Sequence, residues 1–303
     1  MTGLPAPGRS AGRPALDRRV DPMTGREVVV VAGRQGRPNL PAGDCPFCPG
    51  GLEAPGPYDV RSFPNRWPPL GSGKAEVVLY TSRHEGAFAA LGRAGARRVV
   101  DLWADRTAAL GAEDDVGYVL IFENRGADVG ATIDHPHGQI YAFPDVPEVP
   151  RTELAAPGPC HLCCHEPGPH EVSGEGGWRA WVPDAAEWPY ALVLAPVGHV
   201  ADLPSLDPAG RDGMAGVLLD ALGRLDRLFD APMPYMLWIH QRPTDGGRWP
   251  ASHVHVHVAP LRRAAGVTRF VAAGELGSGT SFNPVDPAAA AAALRHAGSP
   301  ARG

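Results

Sequence analysis

Cys45, Cys48 and His84, each moved forward by 115 positions, fall on Cys160, Cys163 and His199, and His135 moved by the same interval stops three residues short of His253. In a chain with five cysteines and 12 histidines, two Cys and one His coinciding at a single offset is improbable by chance. The fourth position needs only one short loop insertion. The chain therefore reads as two copies of one unit. Its 303 residues accommodate both at roughly 150 residues per domain.

The order of hydrophobic patterns repeats along with these residues. REVVVVAG (26–33) and AEVVLYTSRH (75–84) read as strands, apolar residues recur at helical spacing from Phe88 to Leu110, and 116–124 and 138–143 are strands again. After a Pro-rich bridge over 144–160 the order returns, with strands at 178–186 and 190–199, a helical run from Pro208 to Phe229, and strands at 234–243 and 253–261. We expect an α+β fold in which each copy is a small antiparallel sheet with a crossing helix. The expected divisions are a tail over 1–18, a first unit over 19–150, a second over 151–297 and a short tail over 298–303.

Composition removes several classes. The formal charge of −5 does not attract nucleic acid. No apolar run reaches the ~18 residues of a membrane span, and the N-terminus lacks the apolar centre of a signal peptide, so a soluble cytoplasmic protein is expected. Lys74, the only lysine, follows GSG without the spacing or the Ser/Thr of a phosphate-binding P-loop. In a reducing compartment CPFC (45–48) and CHLCC (160–164) read as metal ligands sooner than as disulfides.

Two thiolates and two imidazoles complete a tetrahedron, the arrangement zinc prefers. The first copy offers Cys45, Cys48, His84 and His135, and the second Cys160, Cys163, His199 and His253. With every position filled by protein, both sites are expected to be structural. Cys164 has no counterpart and reads as a small buried residue.

HPHGQ (135–139) is the sharpest local motif. On a strand, positions 135, 137 and 139 share one side, so a metal can hold His135 while His137 and Gln139 face a ligand. Pro136 stiffens the backbone and Gly138 admits close approach. A neutral imidazole whose Nδ1–H is held by a carbonyl presents Nε2 as a nucleophile near neutral pH.

The segment FENRGADVGATIDHPHGQIYAF resembles the active-site segment of galactose-1-phosphate uridylyltransferases, a branch of the histidine-triad superfamily. The opening strand, CPFCPG, VRSFPNRWPPL, PDAAEWPYALVLAPVGHV and VTRFVAAGELGSGTSFNPVDPAAAAAALR resemble that family's blocks in the family's order, over roughly residues 19–297. The resemblance implies that His137 takes up a uridylyl group from UDP-glucose and passes it to galactose 1-phosphate, assisted by Gln139 and Thr132. It further implies zinc on the first four-residue set, and Arg34, Arg37, Asn65, Trp67, Asn124 and Gly130 around the nucleotide and its phosphates. Arg269, Phe270 and Glu275 fall where the family recognises the hexose, and a homodimer whose partner chain completes the active site is implied.

Thr132 stands where the family often has Ser, which keeps the hydroxyl. Some members carry an iron-type site of one Glu and three His, which here would draw on Glu153, His240, His255 and His257; the spacing of the second CxxC set favours the four-ligand zinc site instead. A second nucleophile at His255 is not expected, because His257 replaces the Gln and no ENRG-like segment precedes it. The alternatives are a phosphorylase or adenylyltransferase of the same superfamily acting on an ADP-sugar, and a non-catalytic zinc protein that only binds nucleotides.

Overall fold

The computed structural model describes residues 16–36 and 44–298. A short ribbon pairs β1 (Arg18–Val20) with β2 (Glu27–Val29). The main sheet takes β3 (Arg61–Pro64), β4 (Ala75–Leu79), β5 (Tyr118–Arg125) and β6 (His137–Phe143) from the first half of the chain. From the second half it takes β7 (Glu171–Glu175), β8 (Trp178–Trp181), β9 (Leu192–Pro196), β10 (Tyr235–His240) and β11 (His255–Pro260). A hairpin of β12 (Arg262–Ala264) and β13 (Val267–Thr268) follows. The helices are α1 (Gly92–Gly111), α2 (Glu148–Leu154), α3 (His161–Cys164), α4 (Pro208–Arg227), α5 (Ala273–Ser278) and α6 (Pro287–Gly298).

The expected antiparallel sets with crossing helices are present, but they are fused edge to edge. The nine strands form one sheet in the order β3-β4-β6-β5-β10-β11-β9-β8-β7. The junction is the antiparallel pairing of β5 with β10, in which Phe122 lies opposite Trp238. A single row of paired residues then crosses eight strands: Phe63, Val77, Gln139, Phe122, Trp238, His257, Val193 and Trp181. Its two halves are counterparts, strand for strand.

Strand alternation sends the intervening residues to the other face, where Val78, Ile121, Ile140, Leu192, Leu194, Leu237, Ile239 and Val256 join one core under the helices. Helix α1 contributes Ala96, Val99, Val100, Trp103, Ala104 and Leu110, spaced by three or four so that one stripe is buried. Helix α4 starts cleanly because Asp207 accepts from the Gly210 N–H at 2.7 Å and Pro208 occupies the first turn. The two helices pack together. Arg97 bridges Asp101 of its own helix and Asp212 of α4, while Arg211 returns to Asp101 at 3.0 Å. No described helix is long and apolar enough to cross a membrane.

Three local expectations change. The strand expected over 26–33 pairs only over Glu27–Val29, because its partner is just three residues long. That partner begins at Arg18, inside the expected tail, where Arg18 meets Asp145 at 2.7 Å. The bridge over 144–160 contains α2, whose Pro150 sits in the first turn, where a missing N–H costs nothing.

Glu123 lies at the β5–β10 junction on the helix side, opposite Leu237. It is 4% exposed, accepts the Tyr235 hydroxyl at 2.9 Å, and burial pushes its carboxyl up to about 7. Tyr80 Oη lies beside it, and Arg125, held by Asp226, is the nearest cation. A carboxyl raised in the folded state favours folding most below its unfolded value of 4.5 and loses that contribution as pH rises through about 7. Glu123→Gln should therefore gain stability on the wild type across that interval, on the order of 2–3 kcal/mol by pH 8. Urea midpoints of both proteins from pH 5 to 8 test this; parallel curves would show that Glu123 stays ionised throughout.

Candidate active site and metal clusters

The HPHGQ backbone is held from behind. The Tyr80 N–H donates to the Pro136 carbonyl at 3.1 Å, and His137 enters β6 opposite Leu79. His137 Nδ1–H donates to the His135 carbonyl at 2.7 Å, which fixes the tautomer and makes Nε2 the basic nitrogen. Gly138 is required by packing. A methyl group there would collide with the Tyr80 hydroxyl and approach the Phe122 carbonyl to 3.1 Å. Gln139 Oε1 accepts from Asn65 Nδ2 at 3.2 Å, and Asn65 Oδ1 is anchored by the Trp67 N–H at 2.8 Å. Asn65 thus turns the Gln139 amide so that its NH₂ is available to an anion.

These residues line a cavity of about 540 Å³ that includes His137, Gln139, Asn65, Trp67, Phe47 and Thr132. Its size and its mixture of aromatic walls with a few polar groups suit a nucleotide. Phe47, absent from the expected site, packs its ring edge-on to His137 at 5.2 Å between centroids. It comes from the CPFC turn, so the signal was the residue between two ligands.

Asn124 and Gly130 do not line this cavity within one chain; Asn124 lies opposite Met236 at the sheet junction, and Gly130 closes a turn at φ 82°. Arg34 lies in a 3₁₀ turn over Ala32–Gly36, also outside it, and Arg37 falls outside the described residues. Arg269 and Glu275 are buried against each other at 2.5 Å, with the guanidinium 4.4 Å over the Trp188 ring. Phe270 is 81% exposed. Within one chain none of the three reaches His137's cavity.

Among the described residues, three clusters bring possible metal donors within 4.8 Å of one another. In the first, His135 Nδ1 lies 3.8 Å from Cys45 Sγ and 3.7 Å from Cys48 Sγ, and His84 Nδ1 lies 3.5 Å from Cys48 Sγ. His135 Nε2–H is tied to the Thr81 carbonyl at 2.7 Å, the outer hydrogen bond that orients a metal-binding imidazole. Burial holds His135 below the ordinary histidine value, which keeps it neutral and able to ligate.

The second cluster repeats this geometry. His253 Nδ1 is 3.4 Å from Cys160 and 3.5 Å from Cys163, His199 Nδ1 is 3.2 Å from Cys163, and His253 Nε2–H donates to the Pro196 carbonyl at 3.0 Å. Burial, reinforced by His199, lowers His253 to about 4. Cys164 is exposed, contrary to the expectation of a buried residue. It projects from the four-residue turn α3, too short to bury it.

The third cluster is Glu153, His240, His255 and His257, and it forms alongside the second. Sequence spacing set these two as competitors; the structure supplies separate donors to each. His240 Nδ1 lies 2.7 Å from Glu153 Oε2, His255 Nε2 lies 3.5 Å from it, and His257 Nε2 lies 3.7 Å from Oε1. Burial pushes Glu153 up, but hydrogen bonds from His240 and His255 outweigh it and keep the carboxylate ionised.

The profile of the N-terminal domain of galactose-1-phosphate uridyl transferase matches residues 69–147, and that of its C-terminal domain matches residues 170–292. The galactose-1-phosphate uridylyltransferase of Thermotoga maritima is 34% identical, over 92% of this chain and 98% of its own. A solved uridylyltransferase structure superposes with a TM-score of 0.84 at 28% identity, covering 92% of this chain and 97% of its own. The ADP-glucose phosphorylase of Arabidopsis thaliana is more distant, 24% identical over 95% of each chain. Fold and site together define a nucleotidyltransferase. More narrowly, the chain belongs to the galactose-1-phosphate uridylyltransferase family.

Gly138→Ala should destabilise by about 1–3 kcal/mol, as overpacking against a fixed neighbour does, and Tyr80→Phe in the same chain should recover part of that loss by removing the colliding hydroxyl. Denaturant midpoints of the two single variants and the double variant check the coupling. Strict additivity would show that the two groups do not meet.

Proposed function

We propose that this chain exchanges a uridylyl group between UDP-glucose and galactose 1-phosphate through a covalent intermediate on His137. The observation that carries the reading is the hydrogen bond from His137 Nδ1–H to the His135 carbonyl, at the wall of a cavity that also holds Gln139 and Thr132. Nε2 attacks the α-phosphorus of UDP-glucose, a P–N bond forms, and the bridging P–O bond breaks with its electrons leaving on glucose 1-phosphate. A phosphate oxygen of galactose 1-phosphate then displaces the imidazole by the reverse motion. Splitting one displacement into two in-line steps is the advantage of a nitrogen nucleophile. The Gln139 NH₂ and the Thr132 hydroxyl stabilise charge on the equatorial oxygens.

Donor chemistry supports zinc in the two Cys₂His₂ clusters, where no position is left for substrate. The oxygen- and nitrogen-rich third cluster suits a divalent metal such as iron or manganese. All three are holding sites in this reading, so His137 chemistry proceeds without a step on a metal. The assembly is a cytoplasmic homodimer in which Arg269, Phe270 and Glu275 serve the hexose of the partner's site. Exposed Phe270, Leu276 and Phe282 on one segment support such a contact.

Incubation with UDP-glucose alone should release glucose 1-phosphate in a burst no larger than the number of active sites, leaving a uridylyl adduct that is labile to acid and stable to base. His137→Gly should abolish the adduct, and ADP-glucose should label far less; mass spectrometry of the intact protein reads both. Label on another histidine, or preferential labelling by ADP-glucose, would overturn the assignment.

Metal analysis of protein purified without added metal should return two zinc ions and one further metal per chain. Cys160→Ser should lower the melting temperature while leaving adduct formation intact, since a structural metal contributes its binding energy to folding. Loss of the adduct at unchanged melting temperature would instead make the second cluster part of the chemistry.

A further inference from the structure

The row of residues that crosses the sheet carries two pockets. Its first half places Phe63, Val77 and Gln139 beside His137's cavity, and its second half places Trp181, Val193 and His257, their partners in register, beside another. The equivalence extends to hydrogen bonding. His255 Nδ1–H donates to the His253 carbonyl at 2.7 Å, just as His137 does to His135. A cavity of about 360 Å³ between α2, the CHLCC turn and β9 is thus the counterpart of the nucleotide cavity.

Its chemistry has changed. Leu154, Leu162, Trp181 and Val193 make apolar walls, and no arginine or lysine lines it, so it lacks the guanidinium and ammonium groups that usually pair with a polyphosphate. At one end the four donors of the third cluster all line the cavity. His257 Nε2 is buried there without a hydrogen-bond partner. A divalent metal on three neutral imidazoles and one carboxylate carries a net single positive charge. Metals that favour oxygen and nitrogen donors accept about six ligands, so four protein donors would not complete the shell of an ion that borders the cavity.

We propose that this pocket binds a small carboxylate with an apolar body, its carboxylate on the metal held by Glu153, His240, His255 and His257 and its body against Leu162, Trp181 and Val193. The cavity lies in the size range of small-molecule sites and has their usual composition, mostly apolar walls with a few polar groups. The proposal rests on the third cluster holding a metal and is independent of uridylyl transfer at His137.

Benzoate is the probe, with acetate as the carboxylate lacking the body and UMP as the ligand of an unchanged nucleotide pocket. Protein with its cysteine clusters occupied by zinc is loaded with Mn²⁺, whose binding is read by electron paramagnetic resonance. Proton relaxation of benzoate should then accelerate, more for the ortho than for the para protons, and benzoate should bind about tenfold or more tightly than acetate because a ring is buried. Omitting Mn²⁺ should weaken benzoate by a similar factor. Val193→Phe, or Leu154→Phe if that variant folds poorly, should keep the Mn²⁺ signal and lose benzoate, because each fills the cavity from a residue that is not itself a donor. The proposal fails if Mn²⁺ does not bind, if benzoate relaxation is unchanged, if benzoate and acetate bind alike, or if UMP displaces benzoate from the metal-loaded pocket. Adduct formation from UDP-glucose, measured on the same samples, separates any of these failures from a failure at His137.

Discussion

The pairing of Tyr118–Arg125 with Tyr235–His240 is the constraint on which the rest of the molecule depends. A sheet edge exposes unpaired N–H and C=O groups, and each half of the chain has such an edge, at β5 in the first and at β10 in the second. Joining the two edges satisfies those groups and makes one continuous helix-covered face from two short ones. It also locks register, since a slip by one residue would exchange core and site faces. Phe122 opposite Trp238, and Glu123 opposite Leu237, are the same register seen from the two sides of the sheet.

From that register the active site follows through backbone contacts. Tyr80 lies on the core side and supplies two things to HPHGQ, an N–H for the Pro136 carbonyl and a hydroxyl against which only glycine fits at 138, while ring contacts at 5.6 Å with Phe88 and 5.8 Å with Trp103 fix its own position. The His135 carbonyl orients His137 while the His135 ring joins the thiolates. In the proposed function, one dipeptide step therefore couples a metal-binding residue to a nucleophile. On that reading, rigidity at the first cluster becomes accuracy at the second histidine, so a buried holding site would serve chemistry it does not perform.

Much of this was legible in residue spacing. The 115-residue offset gave the duplication, period-2 and period-3.6 patterns gave the principal strands and helices, and HPHGQ gave a tautomer argument that the 2.7 Å hydrogen bond matches. What spacing does not encode is the third dimension. Nothing local says that β5 pairs with β10, because both strands are apolar runs that could equally have found other partners. Helix α2 was hidden by its prolines: Pro147 precedes it and Pro150 occupies its first turn, positions where proline is tolerated but reads as a breaker along the sequence. Phe47 was hidden because a CxxC motif draws attention to its ends.

The two clusters of the second half show the same limit from another side. His253, His255 and His257 alternate with Val254 and Val256, and as a linear pattern they invite one metal or another. The strand itself begins only at His255, so His253 stands just before it and turns its Nδ1 to the CHLCC thiolates, while His255 and His257 aim Nε2 at Glu153. Because His255 spends its Nδ1–H on the His253 carbonyl, the two clusters are joined by a single hydrogen bond yet share no donor atom. The first half has the same joint between His135 and His137, and there it orients the imidazole proposed as the nucleophile. Replacing Gln139 by its counterpart His257, and bringing Glu153 in on α2, converts that orientation into ligation. On the proposed reading the same backbone geometry serves covalent chemistry in one half and a cation in the other, and His257 and Glu153 decide which.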